Sequence, residues 1–160
     1  MRPLVVLVIL VILSVSISAS AQPRDSSLSR TLSTQRVARA AKLIFSGVVL
    51  QVKRSESTSG STQITFRVED AIRDVRRGQI IRVSEWSGLW NSGERYATGE
   101  HVLLFLYAKS KLGLTSPVGG QAGRYAVDTA GRVLVPSPQN GSHPMPLKTL
   151  KAEIQRAVQE

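Results

Sequence analysis

Few residues in this 160-residue chain are equipped for chemistry, and their spacing argues against a reaction. There are 2 histidines, His101 and His143, and no cysteine. Without cysteine there is no disulfide framework, no Cys-ligated zinc, no iron–sulfur cluster and no thiol nucleophile. A Ser–His–Asp set would have to use one of the two histidines. His101 opens an apolar run, His143 sits among prolines, and no Gly-x-Ser-x-Gly elbow is present. Glu69, Asp70 and Asp74 cluster, and Glu94 and Glu100 flank a tryptophan-bearing segment. Acid–base work needs two carboxyls facing each other across a cleft. Arg67, Arg73, Arg76 and Arg77 surround the first cluster, so ion pairing on a solvated face is expected there. Gly119-Gly-Gln-Ala-Gly123 could offer backbone amides to an anion. It fits neither phosphate-binding glycine pattern and reads as a flexible turn. The expectation is a protein that is not an enzyme and uses no cofactor.

Binding chemistry is better represented. Glu85-Trp-Ser-Gly-Leu-Trp-Asn-Ser-Gly-Glu-Arg-Tyr96 gathers both tryptophans beside an arginine and a tyrosine, a composition favoured at interfaces. Trp86, Trp90, Arg95 and Tyr96 are therefore the candidate partner-binding residues. Trp86 directly extends a strand, which favours core for it; Trp90 suits core and interface equally. The second candidate is electrostatic. Lys and Arg number 21 against 11 Asp and Glu, a net charge of +10. Such an excess favours anionic partners. Arg73, Arg76 and Arg77 form the candidate anion-binding group, with a second local group at Arg36, Arg39 and Lys42. The remaining basic residues are scattered, and few aromatics interleave with them, which weakens a single-strand stacking mode.

These residues must be carried by a mainly β scaffold. A short helix over Thr34–Lys42, capped by Ser33 or Thr34, puts Val37, Ala40, Ala41 and Ile44 on one face. Leu43–Val52 reads as a long strand with a bend or bulge at Gly47. Thr62–Glu69 alternates, with Ile64, Phe66 and Val68 on one face, and forms a meander pair with it. Ala71–Arg77 is a charged connection closed by Gly78, Ile80–Val83 a third strand, and residues 84–99 a long ordered loop. His101–Tyr107 is the most apolar strand and is expected at the centre, and Leu112–Thr115 could add a short fifth. Arg124–Val127 and Arg132–Val135 read as a hairpin, and Pro136–Pro146 as a loop in which Asn140-Gly-Ser142 marks a turn. Leu147, Leu150, Ile154, Ala157 and Val158 share one face of an amphipathic helix over residues 146–159. The sum is a small antiparallel OB-like β-barrel with a short N-terminal helix and a C-terminal amphipathic helix, spanning residues 34–160. A β-sandwich is the alternative.

The N-terminus indicates a compartment. Met1-Arg2, an apolar run from Leu4 to Leu13 and Ala19-Ser-Ala21 are the three parts of a secretory signal peptide. The strongly apolar part is about half the roughly 20 residues a membrane span needs, so cleavage after Ala21 is expected over retention. Residues 22–33, rich in Ser and Arg, read as a flexible lead-in.

The order of elements resembles the TIMP/netrin-like OB domain, in particular its cysteine-free secreted bacterial relatives. The residues that carry the resemblance are Ala41-Lys-Leu-Ile-Phe-Ser-Gly-Val-Val49, Thr65-Phe-Arg-Val-Glu69 leading into Asp74–Gly78, Tyr96-Ala-Thr-Gly-Glu-His-Val-Leu-Leu-Phe105 and Asp128-Thr-Ala-Gly-Arg-Val133. Together they span residues 38–135. The resemblance implies a non-enzymatic domain. The animal inhibitors of this family coordinate a protease zinc through a mature N-terminal cysteine, whereas here Gln22 would stand first. The expected function is a secreted or periplasmic protein-binding domain, with a protease-inhibitor-like role as its special case. A polyanion-binding module acting on polysaccharide, lipopolysaccharide or nucleic acid is the alternative.

Overall fold

The computed structural model describes residues 34–54, 60–90, 96–137 and 141–159. The expected signal segment, its cleavage point and the 22–33 lead-in lie outside the described residues. Among those described, no helix is long and apolar enough to cross a membrane.

The protein is mainly β. A short helix, α1, covers residues 34–40. Strands β1 (Leu43–Arg54), β2 (Ser61–Arg73), β3 (Ile80–Trp86), β4 (His101–Leu106) and β5 (Arg124–Ala126) form one antiparallel sheet in the order β3-β2-β1-β4-β5. β6 (Arg132–Ser137) and β7 (Gly141–Pro146) make a separate hairpin, followed by helix α2 (Leu147–Gln159). The sheet is not closed into a continuous barrel. Its free β3 edge is nonetheless bound to the chain after β4, where the Thr115 amide donates to the Ser84 carbonyl at 2.9 Å.

Strand alternation divides the core between the two faces of this sheet. Val102, Leu104 and Leu106 of β4 pack with Phe45, Val49, Ile64, Phe66, Val68, Ile81 and Val83 on one face. Leu103 and Phe105 point the other way, against Val37 and Ala38 of α1, Ala41 just after it, and Leu150 and Ile154 of α2. A strand buried on both faces reads as an unbroken apolar run, which explains the sequence of β4. Its composition reflects that burial and not a central place, since β1 is the middle strand. Full burial of each large side chain contributes about 1.5–3 kcal/mol. The edge-on contact of Phe45 with Phe66 (ring centroids 5.6 Å apart) adds directional packing.

Gly47 marks a bulge. The β1–β2 register shifts between Ser46 and Gly47. A Cβ at Gly47 would collide with the carbonyl oxygen of Arg67 on the paired strand. Only glycine lets the two backbones approach this closely.

Several local expectations change. In α1 Ala38, not Ala40, joins Val37 and Ala41 in the core, the i, i+1, i+4 face that completes with Thr34. β2 runs on through Ala71–Arg73, and β3 runs three residues beyond Val83. Leu112–Thr115 is no strand, because Ser110 ties this stretch into a turn. Pro136–Pro146 is largely not a loop but the β6–β7 pairing, with Pro144 and Pro146 on a strand that has a neighbour on one side alone. Gly120–Gly123 forms the expected turn as one turn of 3₁₀ helix, with Gly123 buried against Val118. Arg124–Val127 and Arg132–Val135 do meet, at the Val127–Val133 bridge, while β5 itself pairs with β4 and β6 with β7.

Candidate functional site

Both helices and the β6–β7 hairpin pack on the side of the sheet formed by β4, β5 and the first residues of β1. Among the described residues they leave the outward side chains of β3 and of the Ser61–Arg67 half of β2 uncovered, while Asp70 and Ile72 farther along β2 meet α2 and its core. Alternation along β3 sends Ile81, Val83 and Glu85 inward, and Ile80, Arg82, Ser84 and Trp86 outward. Across the ladder, Ser61 stands opposite Trp86, Gln63 opposite Ser84 and Thr65 opposite Arg82.

Trp86 is 58% exposed, so its position at the end of a strand does not make it core. Its ring is nonetheless seated. Any Cβ at Gly88 would strike the six-membered ring, and one at Gly60 would lie 3.8 Å from the indole Nε1. The Ser87 amide donates to the Gly60 carbonyl at 2.5 Å, which holds the two glycine segments together. The result is an aromatic platform, an exposed side chain seated on two glycine segments at one end of the β2–β3 face, with Arg82 on the same face about 13 Å away along β3. The Trp90 side chain and Arg95 lie outside the described residues.

Tyr96 moves from candidate interface to core. It is 2% exposed and packs edge-on to Phe66 at 5.4 Å between ring centroids. Its hydroxyl donates to Oε1 of Glu85 at 3.1 Å, and Glu85 is fully buried. The Arg124 guanidinium lies 4.8 Å from the Tyr96 ring centroid and also contacts Oε1 of Glu100. Glu100 in turn accepts the Ala97 amide through Oε2 at 3.0 Å. Burying a carboxylate is costly unless it is hydrogen-bonded. Here Tyr96 and its neighbours supply a structural polar network beneath the platform. Sequence reasoning missed Glu85, although the inward parity of Ile81 and Val83 points to it two residues later.

The arginine cluster divides. Arg73 Nη1 donates to the carbonyl oxygens of Ala38 (2.9 Å) and Ala41 (2.7 Å), at the C-terminal end of α1. Those carbonyls lack partners within the helix and carry its negative dipole end, so Arg73 acts as a cap. Arg76 and Arg77 are exposed on the turn at 74–79, whose backbone is fixed by Gly78 donating to Val68 O at 2.8 Å and Gln79 Oε1 accepting from Arg76 N at 2.9 Å. This turn and Trp86 lie at opposite ends of the β2–β3 hairpin, about 20 Å apart at roughly 3.3 Å per residue.

The carboxylates are paired on the surface as expected, in part with the clustered arginines (Arg67) and in part with residues from other elements. Asp74 pairs with Lys42 at 2.8 Å, Asp70 with Lys151 at 3.3 Å, and Glu69 with His101 at 3.1 Å and Arg67 at 3.8 Å. The hydrogen bond and charge of Lys42 hold the Asp74 carboxyl below its usual range. Asp128 is likewise held low, first by the Arg132 amide and then by the Arg132 side chain and the Ala130 amide. Among the described residues no three His, Asp or Glu side chains group as a metal-binding set. No family model matches the sequence, and no curated protein matches it.

Proposed function

We propose that this protein is a secreted or periplasmic, non-enzymatic binding module of OB-like architecture that captures another protein on the outward face of β2 and β3. One observation carries the reading: Trp86 is more than half exposed yet already seated over Gly88. Interface hot spots are enriched in tryptophan and arginine. A side chain ordered before binding forfeits less entropy when it is covered. Ser61 stands opposite Trp86, and Gln63, Ser84 and, farther along the ladder, Thr65 and Arg82 continue the same outward face with polar side chains, which suits a peptide surface. The barrel part of the proposal is supported by the Thr115–Ser84 hydrogen bond across the open edge. The compartment rests on Arg2, the Leu4–Leu13 run and Ala19-Ser-Ala21. A protease-inhibitor role is the special case in which the captured protein is a protease.

The test uses protein recovered after export as bait for the envelope and secreted fractions, washed at about 50 and then about 300 mM salt. A protein retained at both salts by wild type and lost by Trp86→Ala supports the reading. Retention unchanged in Trp86→Ala discards the platform. Exposed Arg76 and Arg77 favour a second reading, polyanion binding at the 74–79 turn. In that case capture disappears at the higher salt and is lost in the double Arg76→Ala, Arg77→Ala variant.

A further inference from the structure

We propose that the finger formed by residues 107–116 docks on an anionic phospholipid surface, with Leu112 inserted between the headgroups and Lys109 and Lys111 against their phosphates. This inference is independent of the Trp86 platform. Leu112 is 83% exposed, the most exposed large hydrophobic side chain among the described residues. Lys109, Lys111 and Tyr107 are exposed on the same finger. No Asp or Glu occurs between Glu100 and Asp128, so nothing within this stretch of sequence repels an anionic surface.

The finger is built in advance. At its base the Tyr107 amide donates to Ser116 O at 3.1 Å, and Thr115 Oγ1 donates to Tyr107 O at 2.7 Å. At its tip the Ser110 amide donates to Leu114 O (2.8 Å) and the Gly113 amide to Ser110 O (2.9 Å). Ser110 Oγ accepts the amides of Leu112 (3.3 Å) and Leu114 (3.2 Å). Gly113, at φ 75°, supplies the left-handed residue that closes this turn.

These bonds favour lipid over a protein partner. Four tip amides are satisfied internally, which lowers the cost of desolvating the backbone when the tip enters the interface. A single leucine on a convex turn needs a matching pocket on a protein, but none on a bilayer. Lysine stems can lie along the apolar boundary while their ammonium groups stay at the phosphates. Tyr107 at the base suits the headgroup level.

The absence of cysteine permits a direct test, because Leu112→Cys can be labelled at that site alone with a polarity-sensitive dye. Gln155→Cys, exposed on α2, is the control position. We expect vesicles of phosphatidylcholine with about one-third phosphatidylglycerol to blue-shift the dye at position 112 and leave that at 155 unchanged. Pure phosphatidylcholine should give little shift. In co-sedimentation, Leu112→Ala should lower partition about tenfold and Lys109→Ala about fivefold. Absence of a shift at position 112, or equal partition of wild type and Leu112→Ala, overturns the proposal. The dye reads the tip itself, so any insertion of the apolar Leu4–Leu13 run does not produce this signal.

Discussion

The Tyr96 hydroxyl donates to Oε1 of Glu85 at 3.1 Å inside the sheet, one residue before a tryptophan that faces solvent. Adjacent positions on one strand thus serve opposite ends: Glu85 anchors the interior and Trp86 presents a surface. Removing the donor should weaken the anchor without touching the platform. We expect Tyr96→Phe to lower unfolding free energy by about 1–3 kcal/mol, the cost of stripping a partner from a buried polar group. Urea unfolding measures it. An unchanged midpoint would mean that the other contacts of Glu85 suffice to hold it.

Arg73 should behave as a structural residue. Its guanidinium bonds two carbonyls at the end of α1, so Arg73→Ala is expected to cost about 2–3 kcal/mol. Arg73→Lys should recover part of that, because lysine keeps the charge but loses the planar fork. Full stability of Arg73→Ala in urea would return this residue to the exposed basic group with Arg76 and Arg77.

The bulge in β1 has its own signature. Gly47→Ala would drive a methyl group into the Arg67 carbonyl and force β1 and β2 apart. A loss of about 1–3 kcal/mol is expected in thermal or urea unfolding. A neutral result would require the β1–β2 pairing to shift at no cost.

Stability at high pH should report on Tyr125. Burial raises its hydroxyl above the ordinary value of 10.0, partly opposed by a hydrogen bond with Thr34. The unfolded chain therefore ionises first, and stability present below pH 10.0 is lost as pH rises toward the folded value. We expect Tyr125→Phe to flatten the fall in urea midpoint above about pH 10. An identical slope in both proteins would remove Tyr125 as its cause.

Much of the scaffold was legible in the sequence. β4 announces itself by an unbroken apolar run, β2 by the alternation of Ile64, Phe66 and Val68, and α2 by the spacing of Leu150, Ile154 and Ala157. The site was harder to read for physical reasons. Glu85 and Trp86 look like loop residues beside Gly88, so the inward parity of Ile81 and Val83 is not carried forward to them. Tyr96 follows a glycine-rich stretch with no periodicity, and only tertiary packing on Phe66 buries it. Three arginines within five positions read as one basic cluster, until the end of β2 turns Arg73 toward α1 and leaves Arg76 and Arg77 on the turn. Pro144 and Pro146 disguise β7, whose one-sided pairing tolerates them.

Trp86 bears the central claim, and a paired capture experiment addresses it most directly. Wild type, Trp86→Ala and the double Arg76→Ala, Arg77→Ala variant are each exposed to the envelope and secreted fractions at about 50 and 300 mM salt, after far-UV circular dichroism establishes that all three fold. Truncating a hot-spot tryptophan costs about 2 kcal/mol or more, roughly a thirtyfold loss of affinity. We expect one protein to be held by wild type and the arginine variant at both salts, and to be lost from Trp86→Ala. Capture that survives Trp86→Ala but vanishes at the higher salt, or without Arg76 and Arg77, would contradict a protein-binding platform and assign binding to the basic turn.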